Sequence, residues 1–349
     1  MNRPDPRAPS VYVPLVLLGV AVLAPLVVQN QFIRSLLVQA AIFGLLGVAW
    51  NVLGGYANQL SLGHAAYFGT GAYTSTLLLV YWKVPAIVGL PLGGIVAMLV
   101  SILIGLGSFR LRGPYFAIAS IATAEMLRLL ALKFKDFTFG ALGTTVPLTP
   151  NAPLNVLFAE KLGLYYTALA LVLVAVATSA WLERSRLGYQ LVAVGQDEEA
   201  AAAIGIRAPW VKQQANFISA FFAGLAGTLY IQYVYFIQPD TVFGLPISVE
   251  AVLVTIVGGI GTLWGPVLGA LLLEPLSALT QAWLGSTYTG VQLIVYAVLL
   301  MLVILLKPSG LVGAVAPVYR RLLMRLPGAE RDRLRRARSL PEVTGVSPA

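Results

Sequence analysis

The 349-residue chain contains no cysteine and a single histidine, His64. The first absence excludes disulfides, thiol catalysis and cysteine-ligated metals. The second leaves no material for a histidine metal site or a histidine triad within the chain. Charge is scarce as well. Only 11% of residues are charged and 58% are hydrophobic, at a mean hydropathy of +0.83. A soluble domain carries about 25% charged residues. So little charge cannot cover a globule facing water, and the natural solvent for this chain is lipid. The charge that remains is one-sided, with a formal net value of +9, and its placement carries more information than its size.

Apolar runs of about 20 residues are needed to cross a bilayer as helices. Full spans are predicted near 11–28, 33–53, 62–82, 85–107, 114–133, 164–182, 213–237 and 290–306. The first follows a short segment, 1–10, with Arg3 and Arg7. It resembles the opening of a signal peptide, but the apolar run is too long and no small-x-small cleavage site follows, so it reads as a retained helix. The stretch 249–283 is apolar yet interrupted by Gly258-Gly259-Ile260-Gly261-Thr262. It is too short for two full spans and too long for one, and reads as two broken or half helices that line a cavity. The expected fold is therefore an all-α polytopic membrane protein, with about eight full transmembrane helices plus a broken or half-helix pair.

Basic residues orient this layout. With the N-terminus inside, Arg3, Arg7, Arg110, Arg112, Arg184, Arg186, Arg207, Lys212 and the whole tail from Lys307 fall on the cytoplasmic side. Only Arg34, Lys83, Lys133, Lys135 and Lys161 fall outside. Both termini are then cytoplasmic. The transmembrane domain runs over 11–316, with an external loop at 134–163 and a cytoplasmic loop at 183–212. The basic tail, 317–349, reads as an anchor on the anionic inner leaflet. No aromatic residue interleaves its basic run, which argues against nucleic acid.

Four stretches carry polar or backbone features out of place in a plain span. The first, 51–64, holds Asn51, Gly54, Gly55, Gln59, Ser61 and His64. The paired glycines end one helix, and Ser61 is placed to cap the next. Polar groups at this density are costly against lipid, so they face protein or water. They read either as a pathway lining or as a hydrogen-bonded connection. The second stretch, Leu111–Ala119, contains Gly113-Pro114, a break followed by a helix with proline at its first position. Glu125 and Arg128, three apart further along, suit an ion pair. The third, within 183–212, contains Gly188 and the run Asp197-Glu198-Glu199-Ala200-Ala201-Ala202-Ala203-Ile204-Gly205. Its alanines favour a helix over about 195–206, suited to docking in a groove on a soluble partner. The fourth includes Glu250 and Gly258, Gly259, Gly261, Gly265 and Gly269. The last three, spaced by four, form a smooth stripe on a helix that lets another backbone come close.

Glu199-Ala200-Ala201 with Gly205 six residues after the glutamate resembles the EAA loop of ATP-binding cassette (ABC) importer permeases, although only Pro209 stands for that pattern's later isoleucine and proline. Four ordered stretches, 51–73, 111–120, 183–206 and 257–270, resemble the branched-chain amino acid ABC transporter permease family, in particular its LivM-like branch. The loop at Thr138–Gly143 departs from the family's more glycine- and aspartate-rich sequence.

The resemblance implies a bacterial inner-membrane assembly. Its partners are a second related permease, two cytoplasmic ATP-binding subunits and an external solute-binding protein. It implies no cofactor on this chain and ATP with magnesium on the ATPase subunits. In such an assembly Gly188, Asp197, Glu198, Glu199, Ala200, Ala201 and Gly205 form the ATPase-coupling loop. The breaks around 51–64 and 250–265 form the pathway. No lysine in the chain follows a glycine, so the P-loop signature is absent. The cargo is expected to be leucine, isoleucine or valine, or a related small amino acid or amide. The rival reading is an ion-coupled secondary transporter for small apolar amino acids, dependent on membrane carboxylates such as Glu125 and Glu250.

Overall fold

The computed structural model describes residues 30–111, 113–146 and 161–284, with short pieces at 19, 21–26, 28, 295, 297–298, 301, 305 and 310–313. The chain divides into two units. One, Asn30–Val312, is the helical bundle. The other joins Met1–Gln29 to Gly313–Ala349. Residues 11–18 of the first expected span, most of the span at 290–306, residues 147–160 of the external loop and the basic tail lie outside the described residues.

The bundle is built from α1 (Gln31–Gly54), α2 (His64–Trp82), α3 (Ala86–Ser108), α4 (Pro114–Lys133) and α6 (Leu162–Glu183). A single turn, α5 (Lys135–Thr138), separates the last two. After two loop helices, α7 (Arg186–Gln196) and α8 (Glu198–Ala203), come α9 (Ala208–Val234), a short α10 (Pro239–Val242), α11 (Leu245–Gly258) and α12 (Gly265–Leu284). The all-α expectation holds apart from a two-residue ribbon. Strand β1 (Thr144–Thr145) pairs antiparallel with β2 (Phe236–Ile237).

Among the described residues six helical segments are long and apolar enough to cross a membrane: 31–54, 86–105, 114–133, 162–183, 208–234 and 239–258. The expected count of about eight is not confirmed, since the spans expected near 11–28 and 290–306 fall largely outside the described residues. Helix α2 forms where a span is expected, but His64, Thr70, Thr74, Ser75 and Thr76 make it too polar to be among the six. The interruption expected inside 249–283 is there, between Gly258 and Gly265. At 14 residues α11 is about 21 Å long, shorter than the roughly 30 Å hydrocarbon core.

Two helices form the frame. In α1, 78% of the apolar window is buried, and in α9 67%, against 28–39% in α3, α4 and α6. Helix α9 packs on α1, α2 and α3, and α1 also packs on α6, α11 and α12. Small residues permit this closeness. A Cβ on Gly71 of α2 would strike the backbone of Gly224 in α9, and one on Gly224 would come 2.7 Å from Ala97 Cβ in α3. Three backbones therefore meet with almost no side chain between them. In a bilayer, where lipid is as apolar as leucine, such dispersion contact supplies much of the packing energy. The less buried α3, α4 and α6 expose Leu99, Leu103, Ile118, Leu129, Val174 and Trp181, as a lipid-facing surface does.

Side-chain contacts also sort the two ends of the bundle. At one end Tyr56 reaches Glu183, and Asn58 reaches Gly195. At the other, Arg128 meets Asp240, Lys161 meets Ser35, and Tyr81 bonds the backbone of Asp136 and Phe137.

Candidate functional site

Helix α1 passes through Gly54 and stops at Gly55. Its last turns supply two side chains that hold interrupted backbone elsewhere. Trp50 donates its indole N–H to the Ser61 carbonyl at 2.7 Å. Asn51, 2% exposed, uses both ends of its amide. Its Nδ2 donates to the Thr262 carbonyl at 3.0 Å, and its Oδ1 accepts from the Gly261 N–H at 2.8 Å. A break in a membrane helix exposes peptide groups that lipid cannot satisfy. Here neighbouring residues of one helix satisfy groups in two breaks, the connection 55–63 and the turn 259–264.

The first connection is bound on every side. Leu62 N–H donates to Ser120 Oγ of α4 at 3.0 Å, and Ala65 N–H to Ser248 Oγ of α11 at 2.9 Å. His64 is fully buried between two hydroxyls, Ser61 at 3.1 Å from Nδ1 and Ser219 at 2.8 Å from Nε2. Ser219 has one proton, and it goes to the Ala49 carbonyl at 2.7 Å. The hydroxyl must therefore accept from His64 Nε2–H, which leaves Nδ1 to accept from Ser61. Every polar atom of the imidazole is satisfied without a carboxylate. Ser61 does not cap α2 as expected. Gly63 occupies the cap, and the Ser61 hydroxyl serves His64 instead.

The second break has a related construction. Backbones of α11 and α12 cross so closely that a Cβ on Gly258 would strike Gly265, and one on Gly269 would strike Val254. Gly261 is not part of a helical stripe with Gly265 and Gly269. It lies in the turn before α12 at φ +69°, and only the latter two share the helix. A Cβ on Gly261 would stand 3.4 Å from the Gly55 carbonyl, so the two breaks touch. Of the expected pathway residues, Asn51, Gly54, Gly55, Ser61, His64, Gly258, Gly259, Gly261 and Gly265 thus gather around the end of α1. The Gln59 side chain donates to the nearby Ala57 carbonyl at 3.5 Å, and its backbone N–H to the Leu53 carbonyl at 3.3 Å. Glu250 stands apart, two helical turns up α11 from Gly258.

The loop 183–207 packs directly beneath. A Cβ on Gly195 of α7 would lie 3.1 Å from the Tyr56 carbonyl, and Asn58 Nδ2 donates to the Gly195 carbonyl at 3.4 Å. Tyr56 donates to Glu183 Oε1 at 2.8 Å. Burial, and then that carboxylate, push the Tyr56 phenol above its ordinary range, so it stays a donor. Helix α7 starts at a Ser185 cap that accepts the Gly188 N–H at 3.1 Å. Gly188 is required there because a Cβ would strike the Leu182 carbonyl.

The single helix expected over 195–206 is in fact two. Asp197 takes extended backbone, ends α7, and caps α8 by accepting from the N–H groups of Glu199 and Ala200 at 2.9 and 3.0 Å. Helix α8 has six residues. Ala201 is buried beneath it, while Glu199, Ala200, Ala202 and Ala203 face outward. Gly205 closes it at φ +88° with open space around it. Sequence reasoning missed the apolar side chains presented beside this helix: Tyr189 is 70% exposed and Ile204 76%, with Val192 between them in chain order. Their signal was available, since α7 buries Gly188, Leu191 and Val194 yet carries apolar residues on its other face too. It also missed Lys212, expected on the cytoplasmic surface but fully buried, because α9 begins at Ala208 rather than near 213. The Glu125–Arg128 pair forms as expected, at 2.5 Å, and Arg128 additionally holds Asp240 of α10.

Comparisons with known proteins place this architecture. The family model described as the branched-chain amino acid transport system / permease component matches residues 32–306. The high-affinity branched-chain amino acid transport system permease protein LivM of Salmonella typhimurium is 28% identical over 87% of this chain and 75% of its own length. LivM of Escherichia coli is 29% identical over 79% of this chain and 69% of its own. The LivH protein of Salmonella typhimurium is 25% identical over 78% and 91% respectively. No solved structure matches. The family match includes both breaks, the loop helices and the helices that carry them, and the chain belongs to the family of branched-chain amino acid transport system permease components.

Proposed function

We propose that this chain is one of two related permeases in an ATP-driven importer, and that it passes branched-chain amino acids, or a closely related small amino acid or amide, into the cytoplasm. Two cytoplasmic subunits bind and hydrolyse ATP with magnesium, and an external binding protein delivers the cargo. The orientation follows the basic residues: Arg3, Arg7 and the tail from Lys307 lie inside, in the inner membrane of a bacterium, with both ends cytoplasmic. The ion-coupled alternative is not favoured by a family of ABC permeases.

One observation carries the reading. The capped helix α8 presents alanines and Ile204 outward, beside Tyr189 and Val192 of α7, while the underside of the same loop packs on residues 56–58. An exposed apolar knob suits a groove on a soluble partner. Its packed side leads straight to the first break. ATP-driven closure of the partner subunits moves the knob, and the two breaks around Asn51 rearrange to open the pathway inward. Unwound backbone and helix ends in those breaks suit the carboxylate and ammonium of a zwitterion.

The test is recovery of the tagged chain from its native membrane in mild detergent, with partners identified by mass. The wild type brings down an ATPase subunit and a second permease. Ile204→Asp, which places a charge in the apolar contact, keeps the second permease and loses the ATPase subunit. Recovery of the wild-type chain alone, under conditions that hold a control ABC complex together, overturns the reading.

A further inference from the structure

Lys212 is the most deeply buried charge in the described bundle. Its side chain has no exposure, and its Nζ lies 2.7 Å from Oε2 of Glu198, itself only 19% exposed. A lysine is almost never buried to this extent without a partner, because the stranded ammonium loses its hydration. The partner is fourteen residues back in the chain, at the first position of α8. The pair therefore joins the exposed loop helix to the second turn of α9.

Helix α9 continues the connection. Asn216 and Ser219 follow Lys212 at spacings of four and three, on the same face. Asn216 donates to the Ser101 carbonyl of α3 at 3.1 Å and accepts from the Tyr67 hydroxyl of α2 at 2.8 Å. Ser219 takes the His64 ring N–H of α2 and gives its own proton to Ala49 of α1. Ala49 is followed by Trp50 and Asn51, which hold the two breaks. One face of α9 thus carries buried polar contacts to α8, to α3 and α2, and to the end of α1 that holds both interruptions.

We propose that Lys212 is a positioning residue for transport: its bond to Glu198 makes α8 and α9 one mechanical body, so that displacement of the loop helix reaches the pathway. This rests on the coupling role proposed above for α8. A salt bridge that merely stabilised the fold would change how much transporter assembles. A linking bond changes how much cargo moves for each ATP consumed.

The experiment uses the complete transporter, reconstituted in proteoliposomes with its ATPase subunits, second permease and binding protein. Uptake and ATP hydrolysis are measured together on equal amounts of assembled complex. Lys212→Met keeps the length of the side chain and removes the charge. Uptake per ATP is expected to fall about tenfold, within the usual span of coupling between sites. The exchange Lys212→Glu with Glu198→Lys restores most of it. If Lys212→Met fails to assemble, the double variant Lys212→Met with Glu198→Leu reads the same ratio, because it removes the bond without leaving either charge unpaired. A ratio within about twofold of wild type in the assembled variant overturns the proposal, as does an assembled exchange variant that recovers nothing. Ile204→Asp separates the two levels of the argument. If it transports normally, the coupling role of the loop fails. If it loses the ATPase subunit and uptake while Lys212→Met keeps the wild-type ratio, only the link through Lys212 fails.

Discussion

Replacing Asn51 by leucine keeps the branched four-atom side-chain skeleton and removes both amide bonds to the turn at 261–262. The Gly261 N–H and Thr262 carbonyl, held at 2.8 and 3.0 Å in the wild type, are then left without their side-chain partners. A fully buried orphaned group costs about 1–3 kcal/mol, and these two are partly buried, so roughly 3 kcal/mol in all is lost from the closed turn. A site for measuring this is available because the chain has no cysteine. Val257, in the last turn of α11, is 1% exposed. In a Val257→Cys background, a maleimide can react only when this region opens locally. A loss of about 3 kcal/mol raises the open population, and hence the labelling rate, about 100-fold. The comparison is Asn58→Gly in the same background, which removes a long 3.4 Å bond at an exposed position, suits the left-handed backbone at φ +51°, and leaves the rate unchanged. Labelling of the Asn51→Leu variant within about threefold of its parent, in place of the 100-fold expected, would falsify the idea that Asn51 clamps the break.

Selective nitrogen-15 labelling of histidine gives one imidazole, because the chain has one histidine. NMR is expected to show the Nε2–H tautomer of His64, and the Nδ1–H form would contradict the direction assigned to the Ser61–His64–Ser219–Ala49 file. Gly71→Ala places a Cβ against the Gly224 backbone and is expected to lower the melting temperature of the detergent-solubilised chain markedly, whereas Gly107→Ala, with open space around it, leaves it unchanged. Gly205→Val forces a β-branched residue to φ +88°, at a cost of about 1–2 kcal/mol or more. Uptake falls while membrane insertion, followed by the amount of chain in washed membranes, stays normal, and Gly205→Asn retains more uptake than Gly205→Val. Equal uptake in the two variants would show that the left-handed backbone is not what Gly205 supplies.

The parts of this fold written in local chemistry were legible. Paired glycines mark the end of α1 and the end of α11, and Gly113-Pro114 marks the start of α4, because backbone freedom and a missing N–H act within a few residues. The family resemblance was legible for the same reason, in stretches dense with such residues. What escaped depends on where distant segments meet. Nothing near Lys212 indicates burial, because Glu198 reaches it only after the loop folds back. Asp240 gives no sign of meeting Arg128 across more than a hundred residues. Gly261 fits a four-residue stripe on paper, yet the helix starts four residues later and the turn claims it. Ser61 has the right chemistry for a cap, but His64 offers its hydroxyl a better-buried partner. Asp197 was read as one residue of a helix, and it instead divides two, because its side chain competes for the N–H groups that follow it.

The same physics explains why the polar residues and the interruptions occur together. In water a broken helix is satisfied by solvent. In this bundle the peptide groups at 61–65 and 261–262 are instead satisfied by Trp50, Ser120, Ser248 and Asn51, from three different helices. Each interruption therefore recruits side chains, and each recruited side chain fixes where its helix sits relative to the break. Elsewhere, as where Gly71 of α2 meets Gly224 of α9, helices also meet through glycine and apolar contact, which tolerates small sliding. At the breaks they meet through directional bonds, which either hold or switch partners. A transporter that must adopt two arrangements needs such discrete contacts, and under the pathway role proposed for the two breaks four side chains supply them. Substituting any of the four should cost more in uptake than in folded amount, while substitutions at the exposed Leu99, Leu103 or Ile118 should alter neither. Equal losses from both groups would mean that the breaks are held by general packing rather than by these bonds.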